Sequence, residues 1–317
     1  MRTLFQTLLS LGRGGPRLLP VFAALLVGGC NMSRMGVNMT APALKLASGA
    51  LDTESDVIFA REAAPGGLKT VEGFLLTSPE NPDLLETAAN GYAQYTFGFL
   101  EDDLDALPEN VESDHRQILI DRCTTLYDRS LAFSLRLAAL RDPQIIAAVK
   151  GDTQALTNLL KARFTHAEDG RGLYWAGLAM GSGINLHKDD VDRIADLPKA
   201  VALLERSHEI APEYFNHGPA MALGVVYSAQ GKAMGGNPER SKQLFDEVIQ
   251  ATGGKYLMAR VLYARYYATV TQDRALFEKT LKDVLGTPSN IWPEQRLANE
   301  LAKRRAVRYL SRVEDYF

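Results

Sequence analysis

Five histidines, two cysteines and several acidic clusters are the residues of this 317-residue chain that could do chemistry. His115, His166, His187, His208 and His217 stand apart, with no His-x3-His spacing and no cysteine partner, so the ligand spacing of a zinc site is missing. His208-Glu209 opens as a zincin helix does, but Ile210-Ala211-Pro212 follows and no second histidine closes the set. Gly181-Ser182-Gly183 carries its glycines at the wrong offsets for a nucleophile elbow. Gly253-Gly254-Lys255 lacks both the first glycine of a phosphate loop and the Ser or Thr after the lysine. Asp189, Asp190 and Asp192 offer carboxylates to a cation but have no calcium-loop spacing, and they read as a solvated turn. No acid, base, nucleophile and metal set converges. The expectation is a protein that is not an enzyme, with no cofactor and no metal.

Cysteine chemistry is more definite. Arg2, Arg13 and Arg17 precede an apolar run, Leu18 to Val27, and then Gly28-Gly29-Cys30. That run is about half of the roughly 20 residues a bilayer span needs, so it reads as a secretory signal rather than a membrane helix. Small residues just before a cysteine make a lipobox like that of bacterial lipoproteins, with Cys30 as the lipid attachment point of the mature chain. The competing reading is an ordinary secretory signal with a chance cysteine. Two or three acyl chains anchor durably where one binds reversibly. Asn31 at the next position resembles lipoproteins sent to the outer membrane. The implied organisation is a lipoprotein signal peptide over 1–29, a membrane tether over 30–42, poor in periodicity, and a single helical domain over 43–317. Cys123 is then left alone, which excludes an intramolecular disulfide and favours burial as a small hydrophobe.

Side chains that could hold a ligand or a subunit are aromatic. Tyr256, Arg260, Tyr263 and Tyr267 fall at offsets 0, 4, 7 and 11, one side of a helix. They read either as core or as the wall of a ligand pocket or subunit interface, where tyrosines are favoured. Trp175 and Trp292 carry the same ambiguity. The basic run Lys303, Arg304, Arg305, Arg308 and Arg312 reads as a solvated helix face first and a partner-docking face second. A net charge of -3 and a pI near 6.0 argue against a nucleic-acid binder.

The elements that must carry these residues are helices. Leu85, Ala88, Ala89 and Tyr92 recur at offsets 0, 3, 4 and 7, as do Leu173, Ala176, Gly177 and Met180, and Ala220, Leu223, Gly224 and Tyr227. Large, small and aromatic residues take those offsets in the first helix of a tetratricopeptide hairpin. Ala200, Leu204, Ser207 and Pro212 fit the second helix of one such hairpin, and Ser241, Phe245 and Val248 line a face of another. One long helix is expected over His115 to Leu140, separate segments over Glu54 to Ala63 and Gly66 to Leu76, and a last helix from Glu294 to Arg312. No convincing strand run appears. The fold class is all-α: a tetratricopeptide-like stack of antiparallel helical hairpins, an α-solenoid.

Several longer motifs stand in order along this frame: Gly73-Phe74-Leu75-Leu76-Thr77-Ser78-Pro79-Glu80-Asn81-Pro82, Phe97-Gly98-Phe99-Leu100-Glu101-Asp102, Gly235-Gly236-Asn237-Pro238, Gly254-Lys255-Tyr256-Leu257-Met258, Arg296-Leu297-Ala298-Asn299 and the closing Asp315-Tyr316-Phe317. With them the chain resembles, from about Ala43 to its C-terminus, the TatT component of the tetratricopeptide-protein-associated TRAP transporters. The resemblance implies a homotrimeric lipoprotein on the periplasmic face of the outer membrane of a Gram-negative bacterium. It also implies association with a TRAP-type periplasmic substrate-binding protein and a part in passing a small hydrophobic ligand to a permease. The alternative is an outer-membrane-associated tetratricopeptide scaffold for protein–protein assembly with no transport role.

Overall fold

A computed structural model describes residues 19–108, 113–229 and 236–317, with backbone alone for 19–31. Among the described residues there are helices and turns and no strand, the all-α stack that the repeat offsets call for. The helices are α1 (Leu19–Ser48), α2 (Val57–Thr77), α3 (Pro82–Tyr95), α4 (Glu101–Ala106), α5 (Ser113–Ala139), α6 (Ile145–Lys150), α7 (Thr153–Arg163) and α8 (Asp169–Leu186). After them come α9 (Val191–Ile194), α10 (Leu197–Ile210), α11 (Tyr214–Ala229), α12 (Pro238–Ala251), α13 (Leu257–Leu262), α14 (Arg274–Gly286) and α15 (Arg296–Ser311). Starts follow local chemistry: Asp56, Asn81, Asp152, Asp190, Asn237 and Asp273 each cap a helix with a side-chain oxygen.

The hairpins α8 with α10 and α11 with α12 pair as the offsets require, and α3 pairs with α5 in the same way. Each pair carries the same polar tie, a buried serine on the second helix donating to a carbonyl of the first. Ser130 donates to Ala89 at 2.7 Å, Ser207 to Gly170 at 2.8 Å and Ser241 to Gly224 at 2.7 Å. Such a bond is satisfied only when the two backbones approach closely, and the small residues permit it. A Cβ on Gly177 would stand 2.7 Å from Leu204 and 3.0 Å from the Ala200 carbonyl, and one on Gly224 would stand 3.0 Å from the Phe245 ring. Gly224→Leu is therefore expected to cost about 1–3 kcal/mol by overpacking. Gly73→Ala, facing open space on an exposed helix face, should gain a few tenths up to about 1 kcal/mol from helix propensity. Urea unfolding of the two variants checks the contrast.

Two local expectations change. The segment expected as a tether, 30–42, lies within α1, and its described part packs on α2 and α3. Ala41 is buried, and Asn38 accepts hydrogen bonds from Ser78 (2.6 Å) and Asn81 (2.9 Å). The break expected between Ala63 and Gly66 is absent. Helix α2 runs through Pro65, whose face is exposed, so water can serve the carbonyl that loses its amide partner. The segment 1–18 and the side chain of Cys30 lie outside the described residues.

The basic run of α15 also corrects its reading. Arg305 is buried and paired with the equally buried Asp102, at 3.4 Å, and its guanidinium donates to the Phe97 carbonyl and covers the Phe97 ring at 4.1 Å. Arg308 bridges Asp102 and Asp105, and Arg312 donates to the carbonyls of Asp105 and Ala106. Arg305, Arg308 and Arg312 are thus docked on α4, because opposite charges more than 200 residues apart meet when the stack closes, while Arg304 stays exposed and Lys303 donates to the Leu285 carbonyl.

Candidate functional site

Two apolar cavities adjoin inside the stack. The first, of about 340 Å³, is walled by Trp175, Leu178, Phe215, Val225, Leu262 and Tyr266 among others. The second, of about 290 Å³, is walled by Leu51, Ala60, Tyr95, Met258, Leu297 and Leu301 among others. Gln94, Phe97 and Tyr256 belong to both walls. Each cavity has the size and mainly apolar lining of a small-molecule site.

Irregular helix turns aim the side chains of this wall. A π-helical turn over Thr96–Leu100 follows α3, and a second over Tyr263–Ala268 follows α13. Each inserts an extra residue per turn, rotating Phe97 and Tyr266 out of the phase a regular helix would give them. At the entry to α11, Phe215, Asn216 and His217 take left-handed backbone angles, φ 50°, 54° and 61°. For residues with a Cβ this conformation costs roughly 1–2 kcal/mol each, so the surroundings must hold it. Gly218 follows directly, and a Cβ there would stand 2.6 Å from the Tyr174 hydroxyl.

What holds the turn is a buried polar chain. The Trp175 indole donates to the Tyr214 hydroxyl at 2.8 Å, and Tyr214 donates to Glu86 at 2.8 Å. Glu86, nearly buried, also accepts from Lys45 at 2.8 Å and Arg171 at 2.9 Å. Burial and the neighbouring Glu86 carboxylate push the Tyr214 phenol far above its ordinary range, so it remains a donor. Tyr174, Trp175, Tyr214 and Phe215 form one ring cluster, Trp175 and Phe215 meeting edge-on at 4.7 Å.

Sequence-derived candidates divide. Trp175 and Tyr256, both buried, stand in the cavity wall. Tyr263 is stacked on Tyr267 at 5.0 Å and packs on Phe245, while Arg260 faces Asp283 at 3.6 Å; these three are outside both linings. Tyr256 precedes α13 in a non-helical conformation, and the π turn shifts the phase after it, so the four do not share one face. Trp292 meets Tyr256 edge-on at 6.1 Å. Phe97, Phe215 and Tyr266 escaped the sequence reading, since a 3.6-residue period is blind to π turns and left-handed residues. Asp190 caps α9, in keeping with a structural turn. Cys123 is fully buried, and burial pushes its thiol up to about 12.

The second cavity contains a lone acid. Asp52 has no side-chain partner among the described residues, and burial raises its carboxyl from 3.8 to about 6. A folded-state value above the unfolded one means that the native protein holds the proton more tightly between those limits. Stability is therefore greatest below pH 4 from this group and falls as pH rises to 6. Asp52→Asn should remove that slope and stabilise the protein above pH 6 by ~2 kcal/mol, read from urea midpoints across pH 4–8.

A family model described as TRAP transporter T-component matches residues 53–317. A protein of Treponema pallidum (strain Nichols), itself named only as uncharacterized, is 24% identical over 310 residues, covering 93% of this chain and 95% of that protein. The family match spans the stack, both cavities and the buried polar chain apart from Asp52, Leu51 and the α1 residues. Among the described residues no helix is long and apolar enough to cross a membrane.

Proposed function

The chain belongs to the TRAP transporter T-component family, and from that premise we propose that it binds a small hydrophobic ligand in its paired cavities and passes it to a TRAP-type substrate-binding protein. An accessory role in a TRAP transport system and a bacterial periplasmic setting come with the family. The single observation that supports the ligand is the pair of adjoining apolar cavities with a shared wall of Gln94, Phe97 and Tyr256. A protein whose only task was to display an outer groove would be expected to close such space, because voids forfeit dispersion contacts. Trp175 and Tyr256 are the side chains we assign to ligand contact. Arg260 and Tyr267, partly exposed outside the wall, are assigned to the subunit interface of a homotrimer, with the buried Tyr263 supporting the Tyr267 ring from behind. Lipidation at Cys30 would hold the chain at the periplasmic face of the outer membrane, with α1 leading from the anchor to the stack.

Affinity capture of the protein from periplasmic extract, with organic extraction of the eluate, tests this reading. Recovery of a TRAP-type binding protein together with a discrete apolar compound is the expected result. Recovery of outer-membrane assembly partners with no small molecule would favour the scaffold instead.

A further inference from the structure

The first cavity opens on one side into a polar vestibule of about 680 Å³, and Glu101, Asn185, Lys188, Ala229, Leu262 and Tyr266 line both. Polar groups without partners gather there. Lys188 has no carboxylate partner and no hydrogen bond among the described residues, and Asn185 has none either; its Oδ1 is buried and unpaired. Arg265, also in the vestibule wall, meets only rings: those of Tyr316 at 4.7 Å, Tyr266 at 5.6 Å and Tyr309 at 5.9 Å. Lys188 stays solvent-accessible, and partial burial together with the nearby Arg265 draws its ammonium below the usual lysine range.

The other charged groups of the vestibule are committed elsewhere or stand at its edge. Asp105 is held by Arg308, Arg305 by Asp102, and Glu101 accepts from the Tyr127 hydroxyl at 2.6 Å. Arg116 donates to the Pro108 carbonyl, and Asp189 is exposed. At the far end of the paired cavities stands the unpartnered Asp52. The space is therefore polarised, with cations at one end, an acid at the other and apolar walls between.

We propose that Lys188, Arg265 and Asn185 form the head-group site for an anionic amphiphile whose apolar chain lies in the cavity walled by Trp175, Phe215 and Tyr256. This rests on the hydrophobic-ligand reading above and adds the chemistry and the orientation of the ligand. An anionic head would take the donors of Lys188 and Arg265 in charge-assisted hydrogen bonds and separate the two cations from each other's repulsion. Asn185, whose unpaired atom is the acceptor Oδ1, adds a neutral donor by turning its amide over. Asp52 repels the same head from the opposite end, so the ligand enters in one direction.

Equilibrium dialysis of octanoate, octyl sulfate and octanol against the full chain in lipid nanodiscs, with empty nanodiscs as the blank, tests the assignment. Both anions are expected to bind about tenfold more tightly than octanol, equivalent to ~1.4 kcal/mol, and Lys188→Gln should erase that advantage while leaving octanol binding unchanged. Lys188 is exposed, so its variant keeps the fold; Arg265→Gln is the second variant, with circular dichroism as its folding control. Equal binding of octanol and the anions, or an undiminished anion preference in folded Lys188→Gln, overturns the head-group site and leaves the hydrophobic cavity standing. Binding of none of the three overturns both readings.

Discussion

Glu86→Ala is expected to destabilise the protein by about 2–4 kcal/mol, the cost of leaving a buried phenol and a partly buried guanidinium without their acceptor. One carboxylate receives Lys45 from α1, Arg171 from α8 and the Tyr214 hydroxyl at the mouth of α11. Removing it leaves the buried Tyr214 phenol without its acceptor and the partly exposed Arg171 guanidinium without its carboxylate, and frees the left-handed turn at Phe215 to relax. Lys45, about a third exposed, would re-solvate, so Lys45→Gln should cost far less. Chemical denaturation gives the stability. Fluorescence gives a second reading, since Trp175 hangs from the same chain through Tyr214 and should shift to the red. An Ala variant within 1 kcal/mol of the parent, with unchanged emission, would show that the chain does not hold the turn.

A second loss of the same order, about 3–5 kcal/mol, is expected for Asp102→Ala. Asp102 sits at 3% exposure against Arg305 at 4%, with Arg308 alongside. Without the carboxylate, Arg305 keeps the Phe97 carbonyl and ring but carries an uncompensated charge. Because Arg305 secures Phe97, and Phe97 belongs to both cavity walls, the variant should also weaken ligand retention. The double variant Asp102→Ala, Arg305→Met, with apolar atoms in place of the pair, should recover much of the stability. A double variant no better than the single would mean that the loss arises from packing around α4 rather than from the stranded charge.

The two variants mark where reading the chain stops. Glu86 lies in the first tetratricopeptide-like helix, four residues ahead of Asn90 and one after Leu85, and nothing local distinguishes it from a surface acid. Its partners come from sequence distances of 41, 85 and 128 residues. The basic run of α15 and the acidic start of α4 were each visible, and their opposite signs were the one signal of their contact. Distance along the chain hid the pairing. Likewise Tyr256 and Trp175 could be named as aromatic candidates, but not that one would stand in both walls while Tyr263 and Tyr267 stack outside them.

By itself the sequence determined the all-α repeat and the pairing of two hairpins, because these rest on short-range rules: small residues opposite large ones at helical spacing, cap residues at starts, turn residues at ends; the family came from longer motifs by resemblance. Gly177 against Leu204 and Gly224 against Phe245 follow from such rules alone. Only the tertiary structure decided where space is left open and what charges face it. Cavities arise from phase shifts at π turns and a left-handed bend, which no fixed period encodes, and the charge of a vestibule depends on which cations long-range partners leave unpaired.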